Sequence, residues 1–429
     1  ELIIHKKKMG NLKNIPELRF PEFENEGEWE EKKISDLGET ISGLTGKSGE
    51  DFGTGKPFVT YKQVFDNSVI DFEKCGKVQV GKNENQNLLQ RGDILFTTSS
   101  ETPNEVGFAS VLIDSPKEET YLNSFCFALR PFNIEKTQPQ FSRYLFHSPV
   151  YRKSVTAIAQ GSTRYNLSKG AFLELQVPVP NPKEQQKIAS CLSSLDEVIS
   201  AHNQKLDLLK DHKKGLMQNF FPQEGEKVPK LRFKEFEKDG EWVEKSLGEV
   251  GDFVGGGTPD TSKQEYWDGE ILWYTPTEIK NGKLKSSIRK ITEQGLKNSS
   301  AKLLPKGTIL ITTRATIGDV AITEEECTTN QGFQSLIVHS TEVNTFWLYW
   351  ILQNKEALIK RASGSTFKEI GKNEITNIPT LSPQKGEQQK IASCLSSLDE
   401  LIKAQEEIIE QLKQHKKGLM QGLFPKMKE

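Results

Sequence analysis

The sequence predicts an α+β protein in which two mixed, loop-rich domains alternate with two long helices that pair as an antiparallel coiled coil. Three observations predict it. The chain is written twice, the closing segment of each copy carries an unbroken heptad seam, and the stretches between alternate turn residues with short β-branched runs.

The repeats frame the chain. Pro16 to Trp29 (PELRFPEFENEGEW) matches Pro229 to Trp242 (PKLRFKEFEKDGEW) at 10 of 14 positions. The run EQQKIASCLSSLDE at Glu184 to Glu197 recurs letter for letter at Glu387 to Glu400, and the windows 184–222 and 387–425 share 27 of 39 residues. The expected organisation is a tail over 1–15, a mixed domain over 16–183, a helix over 184–222 and a linker over 223–228. A second domain over 229–386, a helix over 387–425 and a tail over 426–429 complete it. Residues 1–8 precede Met9 and are treated as non-native or upstream sequence, outside the fold.

Each insert is expected to be a small domain of sheet and helix. Asp93 to Thr98 (DILFTT) and Thr308 to Thr313 (TILITT) each follow a Gly-containing turn. Further strands are expected at Phe58 to Tyr61, Phe108 to Ile113, Ser124 to Arg130, Ile271 to Tyr274 and Ser335 to Val338, with helical patches near 139–153 and 344–362. The two inserts resemble each other only faintly, as one scaffold carrying two different readers would.

The near-identical segments read as helices. Ile188, Leu192, Leu195, Ile199, His202, Leu206, Leu209, Lys213, Leu216 and Phe220 alternate spacings of four and three, and the second copy repeats the pattern. There the residues are Ile391, Leu395, Leu398, Ile402, Gln405, Ile409, Leu412, Lys416, Leu419 and Leu423. Asn181, Pro182 and Glu184 are expected to supply an N-cap, a first-turn proline and a capping-box acid, and Pro222 and Pro425 mark the ends. A helix of this length spans about 57 Å. Two narrow seams on one chain are most simply buried against each other, and antiparallel pairing would set one domain at each end. The polar seam residues His202 and Lys213 are read as fixing register, and Cys191 and Cys394 as small packing residues.

Composition excludes several classes. At 35% hydrophobic and 27% charged residues, the chain reads as globular and not disordered. No run approaches the roughly 18 apolar residues of a membrane span, and no signal-peptide core opens the sequence, so a cytoplasmic protein is expected. The five cysteines form no C-x-x-C pair, which argues against zinc and suits a reducing compartment. A net charge of -2 lends no global support to nucleic-acid binding, so any such surface must concentrate its cations locally.

Several runs together resemble the specificity subunits of type I restriction–modification enzymes. They are GGGTPDTSKQEYWDGEILWYTPTEI (Gly255 to Ile279), TILITTRATIGDVA (Thr308 to Ala321), Asn330-Gln331, the EQQKIA entry to each helix and the HKKGLMQ–FP exit at His212 and His415. The similarity covers nearly the whole chain, in both halves and in order. The first insert departs from it where SGLTGKSGEDFG, Ser42 to Gly53, replaces the Gly-Thr-Pro opening. The resemblance implies two target recognition domains, each reading a short half-site of double-stranded DNA, held apart by the helices. It also implies two modification subunits docked on the helices, which methylate adenine with S-adenosylmethionine, and two restriction subunits using ATP and Mg. This chain itself is expected to bind no cofactor or metal and to catalyse nothing. Two unlike readers on a rod should read an asymmetric split site, their centres about one helical turn, roughly 34 Å, apart.

Candidate contacts follow from loop chemistry. Gly161-Ser162-Thr163 precedes Arg164 and Tyr165, and Gly364-Ser365-Thr366 precedes Phe367 and Lys368 at the same offset as the helix repeat. Glycine admits close backbone approach, hydroxyls reach phosphate or base edges, and Arg164 could fork onto guanine. The plain reading of the same segments is a turn leading to the helix. Lys169 and Lys372 are equivalent candidates for phosphate. Ser99, Ser100 and Arg314 follow the matched strands, Thr258 lies in the Gly-Thr-Pro opening, and Thr275, Thr277 and Lys280 follow the strand ending at Tyr274. Lys283, Lys285, Arg289 and Lys290 form a basic cluster that reads either as a solvated face or as a backbone contact.

Competing readings are weaker. Gly46-Lys47-Ser48 lacks the first glycine of a phosphate loop, since position 41 is Ile41. Asp260, Glu278 and Lys280 fit a loose Mg-dependent nuclease pattern, but Asp260 falls in a turn-like stretch. No Asn-Pro-Pro-aromatic methyltransferase motif occurs. A structural coiled-coil adaptor would explain the helices but not two divergent inserts with shared loop positions.

Overall fold

The computed structural model describes residues 3–4, 14–280, 282–314, 316–362 and 369–426. The chain divides into two compact units. One comprises Glu1–His202 with Ile408–Glu429, the other Asn203–Glu407. The division falls inside the two long helices and not at their ends, because each unit's core incorporates half of both.

In the first unit an antiparallel sheet runs in the order Gly38–Ser42, Cys126–Pro131, Ile94–Thr97, Ala109–Val111. A smaller sheet joins Tyr121–Leu122, Phe52–Val59 and Gly76–Val78, its first pair parallel. The second unit repeats both. Gly251–Gly255, Gln334–Val338, Ile309–Ile311 and Val320–Thr323 form the large sheet, and Cys327–Thr329, Trp267–Tyr274 and Arg289–Ile291 the small one, again with one parallel pair. A fifth strand, Gly282–Leu284, extends the large sheet in parallel. In the first unit that edge is reduced to a single parallel bridge, Val69 to Val111. Two inserts of little common sequence therefore share one topology.

Glycines mark where the shared frame is tightest. A Cβ on Gly38 would lie 2.2 Å from the Arg130 carbonyl oxygen, and one on Gly251 the same distance from that of Ile337. Neither position tolerates a side chain, although the surrounding sequences differ.

The expected strands form, three of them trimmed at both ends (Ile94–Thr97, Ala109–Val111, Ile309–Ile311) and others begun earlier (Phe52–Val59, Trp267–Tyr274), and two expectations are corrected. Ile3–Ile4, expected outside the fold, pairs antiparallel with Leu18–Arg19. The strand ending at Val59 does not reach Tyr61, because Thr60 Oγ1 accepts the Gln63 N–H (3.2 Å) and starts the helix Tyr61–Asp66. Each expected helical patch is two helices: Pro139–Leu145 and Pro149–Ala157, then Asn344–Gln353 and Lys355–Arg361. Ser148, which caps Tyr151 N–H, and Pro149 cause the first break.

The long helices run Pro182–Phe220 and Lys385–Gly422. Asn181 Oδ1 accepts the N–H groups of Lys183 and Glu184 at 2.9 and 3.0 Å, a working N-cap. Glu184 is not a capping-box acid. Its carboxylate takes both Arg19 Nε and Nη2 at 2.8 Å, with both side chains at 2% exposure or less. Arg232 holds Glu387 in the same way at 2.9 and 2.8 Å. The short repeated motif thus clamps the start of each long helix. Each arginine also donates to a glycine carbonyl, Gly27 or Gly240, where the backbone turns through positive φ.

Every seam position is buried or half-buried, while the residues between are mostly exposed. The two helices run antiparallel within each unit. In the first, Lys416 binds Asp196, and Tyr144 Oη donates to the same carboxylate at 2.8 Å. In the second, Lys213 binds Asp399 at 2.5 Å, with Tyr349 Oη at 2.6 Å. The lysines on the seam therefore fix register by reaching an aspartate that an aromatic residue also holds. The ends of the helices close the cores. Phe424 packs edge-on against Trp29 (5.9 Å between centroids), as Phe221 does against Trp242 (6.4 Å).

Candidate nucleic-acid interface

At the same edge of each unit, one asparagine organises a tight turn. Asn123 Oδ1 accepts the Phe125 N–H at 2.9 Å, and Asn330 Oδ1 accepts the Gly332 N–H at 2.8 Å. The turn is tied to the large sheet by Thr98 N–H donating to Phe125 O (3.0 Å), matched by Thr313 N–H donating to Gly332 O (2.8 Å). It is tied to the small sheet by Asn123 N–H to Val59 O, matched by Asn330 N–H to Tyr274 O, both 3.0 Å. A glycine backs each turn. A Cβ on Gly43 would stand 2.1 Å from Asn123 O, and one on Gly256 2.0 Å from Asn330 O. The first insert, which lacks Gly-Thr-Pro, therefore keeps the glycine that this motif needs and differs in the residues after it.

The turn gathers several of the expected contacts in the second unit. Thr258 Oγ1 donates to Gln331 Oε1 at 2.6 Å, and Thr275 Oγ1 lies 3.0 Å from Thr277 Oγ1. Lys280 is exposed, with no ion pair among the described residues. Arg314 is exposed beyond Thr313 and pairs with Glu369 at 2.9 Å. Thr366 and Lys368 lie outside the described residues.

In the first unit the loop after Gln160 closes on itself. Gln160 and Asn166 exchange backbone hydrogen bonds of 3.1 and 2.8 Å, and Gly161 adopts φ 139°, where a Cβ would meet Arg164 O at 2.1 Å. Thr163 and Arg164 are exposed at its tip. Tyr165 is half-buried, its backbone paired with Ser100.

One expectation is corrected, and two sets of cations are found with partners inside the chain. Ser99 and Ser100 are buried, at 3% and 8% exposure, in the strand pair with Tyr165 and Asn166. Ser99 O accepts Tyr61 Oη at 2.6 Å, and Ser100 Oγ donates to Glu105 at 2.7 Å, which holds that carboxyl below its usual pKa. These serines support the loop and do not face solvent. Lys169 and Lys372 are equivalent, but as tethers, donating to Ser42 Oγ (2.8 Å) and Phe253 O (2.7 Å) on matched strands. The basic cluster is mostly occupied. Lys285 pairs with Glu324, Lys290 with Glu270, and the Arg289 guanidinium lies 3.5 Å over the Trp267 ring. Lys283 remains exposed, with no ion pair among the described residues.

The residues of the competing readings hold turns. Lys47 bridges to Glu84 at 2.5 Å. The Ser262 hydroxyl and N–H bind Asp260 and lower its pKa. Glu278 accepts from Thr275 N–H and Oγ1 and from Ile288 N–H, each at 2.8 Å. Among the described residues no group of three His, Cys, Asp or Glu side chains is placed to hold a metal, and no helix is long and apolar enough to cross a membrane.

The sequence reading missed Phe125. Its ring is 55% exposed beside the Arg164 guanidinium, 5.6 Å from ring centroid to guanidinium carbon. The signal available was Asn123-Ser124-Phe125 at the place of Asn330-Gln331-Gly332, a match of one residue.

Comparison with known proteins points one way. The family described as the type I restriction modification DNA specificity domain matches residues 26–211 and again 239–414. The specificity subunit of the type I restriction enzyme MjaIX from Methanocaldococcus jannaschii is 40% identical over 181 residues, 40% of this chain and 42% of that one. The putative MjaX specificity subunit of the same organism is 27% identical over 405 residues, 92% and 93% of the two chains. The specificity subunit of EcoR124I/EcoR124II from Escherichia coli is 32% identical over 172 residues, 38% of this chain and 42% of that one. The chain thus spans under half the length of two of these three relatives. The crystal structure of a type I S subunit from M. genitalium covers 98% of this chain and 99% of its own, at 15% identity and a TM-score of 0.56, a likeness of fold.

Proposed function

This chain belongs to the type I restriction–modification DNA specificity family, whose domain it carries twice, and from that premise we propose that its units read two different parts of one split DNA site. The observation that carries this reading is the paired turn. One frame of asparagine, glycine and threonine is built twice, at Asn123 and at Asn330, and presents different side chains each time. A scaffold kept constant under variable contents is what two readers of unlike sequence require.

The long helices set the unread spacer between the two parts and carry two modification subunits. Exposed apolar side chains off the seam support the docking role: Val198 and Leu401 at matched positions, and Leu208 and Ile408. Restriction subunits complete the assembly in the cytoplasm. S-adenosylmethionine, ATP and Mg act on those partners, and this chain supplies recognition without catalysis.

The deciding experiment is genome-wide methylation mapping in cells expressing this chain with a modification subunit. A methylated two-part motif is expected, and methylation without sequence preference would refute the reading. Exchanging 243–383 for the insert of a relative should change one part of the motif and spare the other; a change in both would refute the assignment of parts to units. Lengthening both helices in phase should widen the unread spacer, and an unchanged spacer would sink the ruler role.

A further inference from the structure

We infer that Phe125 and Arg164 form a reading pair, the Phe125 ring packing on a thymine methyl while the Arg164 fork binds the guanine of a neighbouring base pair. The inference rests on the DNA-reading function proposed above and assigns chemistry to one point of it.

Phe125 is fixed in the backbone and open at the side chain. Its N–H is held by Asn123 Oδ1, and its carbonyl accepts both Thr98 N–H (3.0 Å) and Thr98 Oγ1 (2.8 Å). The ring nonetheless stands more than half exposed. A ring more than half exposed buries only part of its apolar area, so the turn does not depend on it for most of its stability. The second unit demonstrates this directly, since Gly332 makes the matching backbone bonds with no side chain at all. A Cβ there would come within 2.8 Å of the Pro276 ring. The frame does not require the ring, which leaves it available for a contact outside the chain.

Arg164 defines that use. It sits at the tip of the closed loop from Gln160 to Asn166, itself paired to Ser99 and Ser100, which directly follow Thr98, the residue that holds the Phe125 carbonyl. It is exposed and has no ion pair among the described residues, and a guanidinium against a ring keeps the N–H donors of its fork. In the major groove the thymine methyl is the apolar group on a base edge, and guanine O6 and N7 are the acceptor pair that arginine matches. The 5.6 Å between the two groups suits neighbouring base pairs, which rise by about 3.4 Å and are offset by twist.

The test uses the full chain with its modification subunit and the motif found by methylation mapping. Each thymine in the part read by the first unit is replaced in turn by uracil, which removes only the methyl, and binding is measured. One replacement should weaken binding about fourfold, the worth of one buried methyl group. Phe125→Gly should abolish the difference between thymine and uracil at that position, and Phe125→Leu should retain part of it. Replacing the neighbouring guanine by 7-deazaguanine, which lacks the N7 acceptor, should weaken the native protein and leave Arg164→Ala unaffected. Circular dichroism of the Phe125→Gly protein should match the native one, as Gly332 leads one to expect. Specific binding with no thymine response, or with an equal response in Phe125→Gly, would overturn the pair while leaving the DNA-reading function intact. Absence of any specific binding would remove both.

Discussion

Arg19 and Arg232 are each a single residue inside a short repeat whose purpose the letters do not announce. The repetition of PELRF and PKLRF was legible, but their partners, Glu184 and Glu387, lie 165 and 155 residues away in sequence. No local pattern connects them, and the spacing of the glutamate from Asn181 fits a capping acid equally well. Removing one partner strands a buried charge. Glu184→Ala should therefore lower stability by about 3–5 kcal/mol in chemical denaturation, whereas replacing both members by apolar residues should recover most of the loss. A second residue, His147, gives a pH signature. Burial pushes its pKa down to about 4, and its Nε2 lies 2.7 Å from Ala109 O. The unfolded chain binds a proton near pH 6.5 that the folded one refuses. Stability is therefore full above about pH 6.5 and falls as the pH drops toward 4. Leu352 stands three residues after Tyr349, as His147 does after Tyr144. His147→Leu should flatten the acid side of a stability–pH curve measured by denaturation, and an unchanged curve would show that other groups cause it.

At the scale of elements, the helices were the most legible part, since a heptad seam needs only one chain and one period. The register was half legible. Lys213 and Lys416 could be placed on the seam, but Asp196, Asp399 and the two tyrosines emerge only from tertiary packing. Asp196→Ala strips Lys416, Arg143 and Tyr144 of a common acceptor and should cost about 1–3 kcal/mol, read as weaker amide protection near residues 193–200. The inserts were less legible, because their strands are short and lie in loop-rich sequence. The shared frame escaped the reading for a physical reason: its key contacts are backbone to backbone, and many side chains can ride on them. Glycine is the exception. Gly43→Ala and Gly256→Ala each force a Cβ into a carbonyl oxygen, and each should destabilise its own unit by about 1–3 kcal/mol or more. Hydrogen exchange resolved by segment would locate the loss, and protection lost equally in both units would contradict the assignment.

At the scale of the whole molecule, the net charge is only -2, so the test of DNA affinity lies in cations that are left unpaired against those that are engaged. Lys280 and Lys283 are exposed and without ion pairs among the described residues, whereas Lys285 and Lys290 are engaged. Lys283→Ala should weaken binding to all sequences alike and reduce the salt slope of DNA affinity by about one, while Lys285→Ala should change it less.

The first unit has one more property, which belongs to its history and not to its finished form. Its core takes in Leu419, Leu423 and Phe424, packed with Trp29 and Phe141, whereas the second unit is built from the continuous run Asn203–Glu407. On the ribosome, the part made first lacks these three residues of its core until the last helical turns leave the exit tunnel. The later-made unit has all its residues before then. Synthesis thus inverts the usual order in which the core of a nascent chain is completed from its beginning, and a pause near residue 407 would leave the older half without Leu419, Leu423 and Phe424.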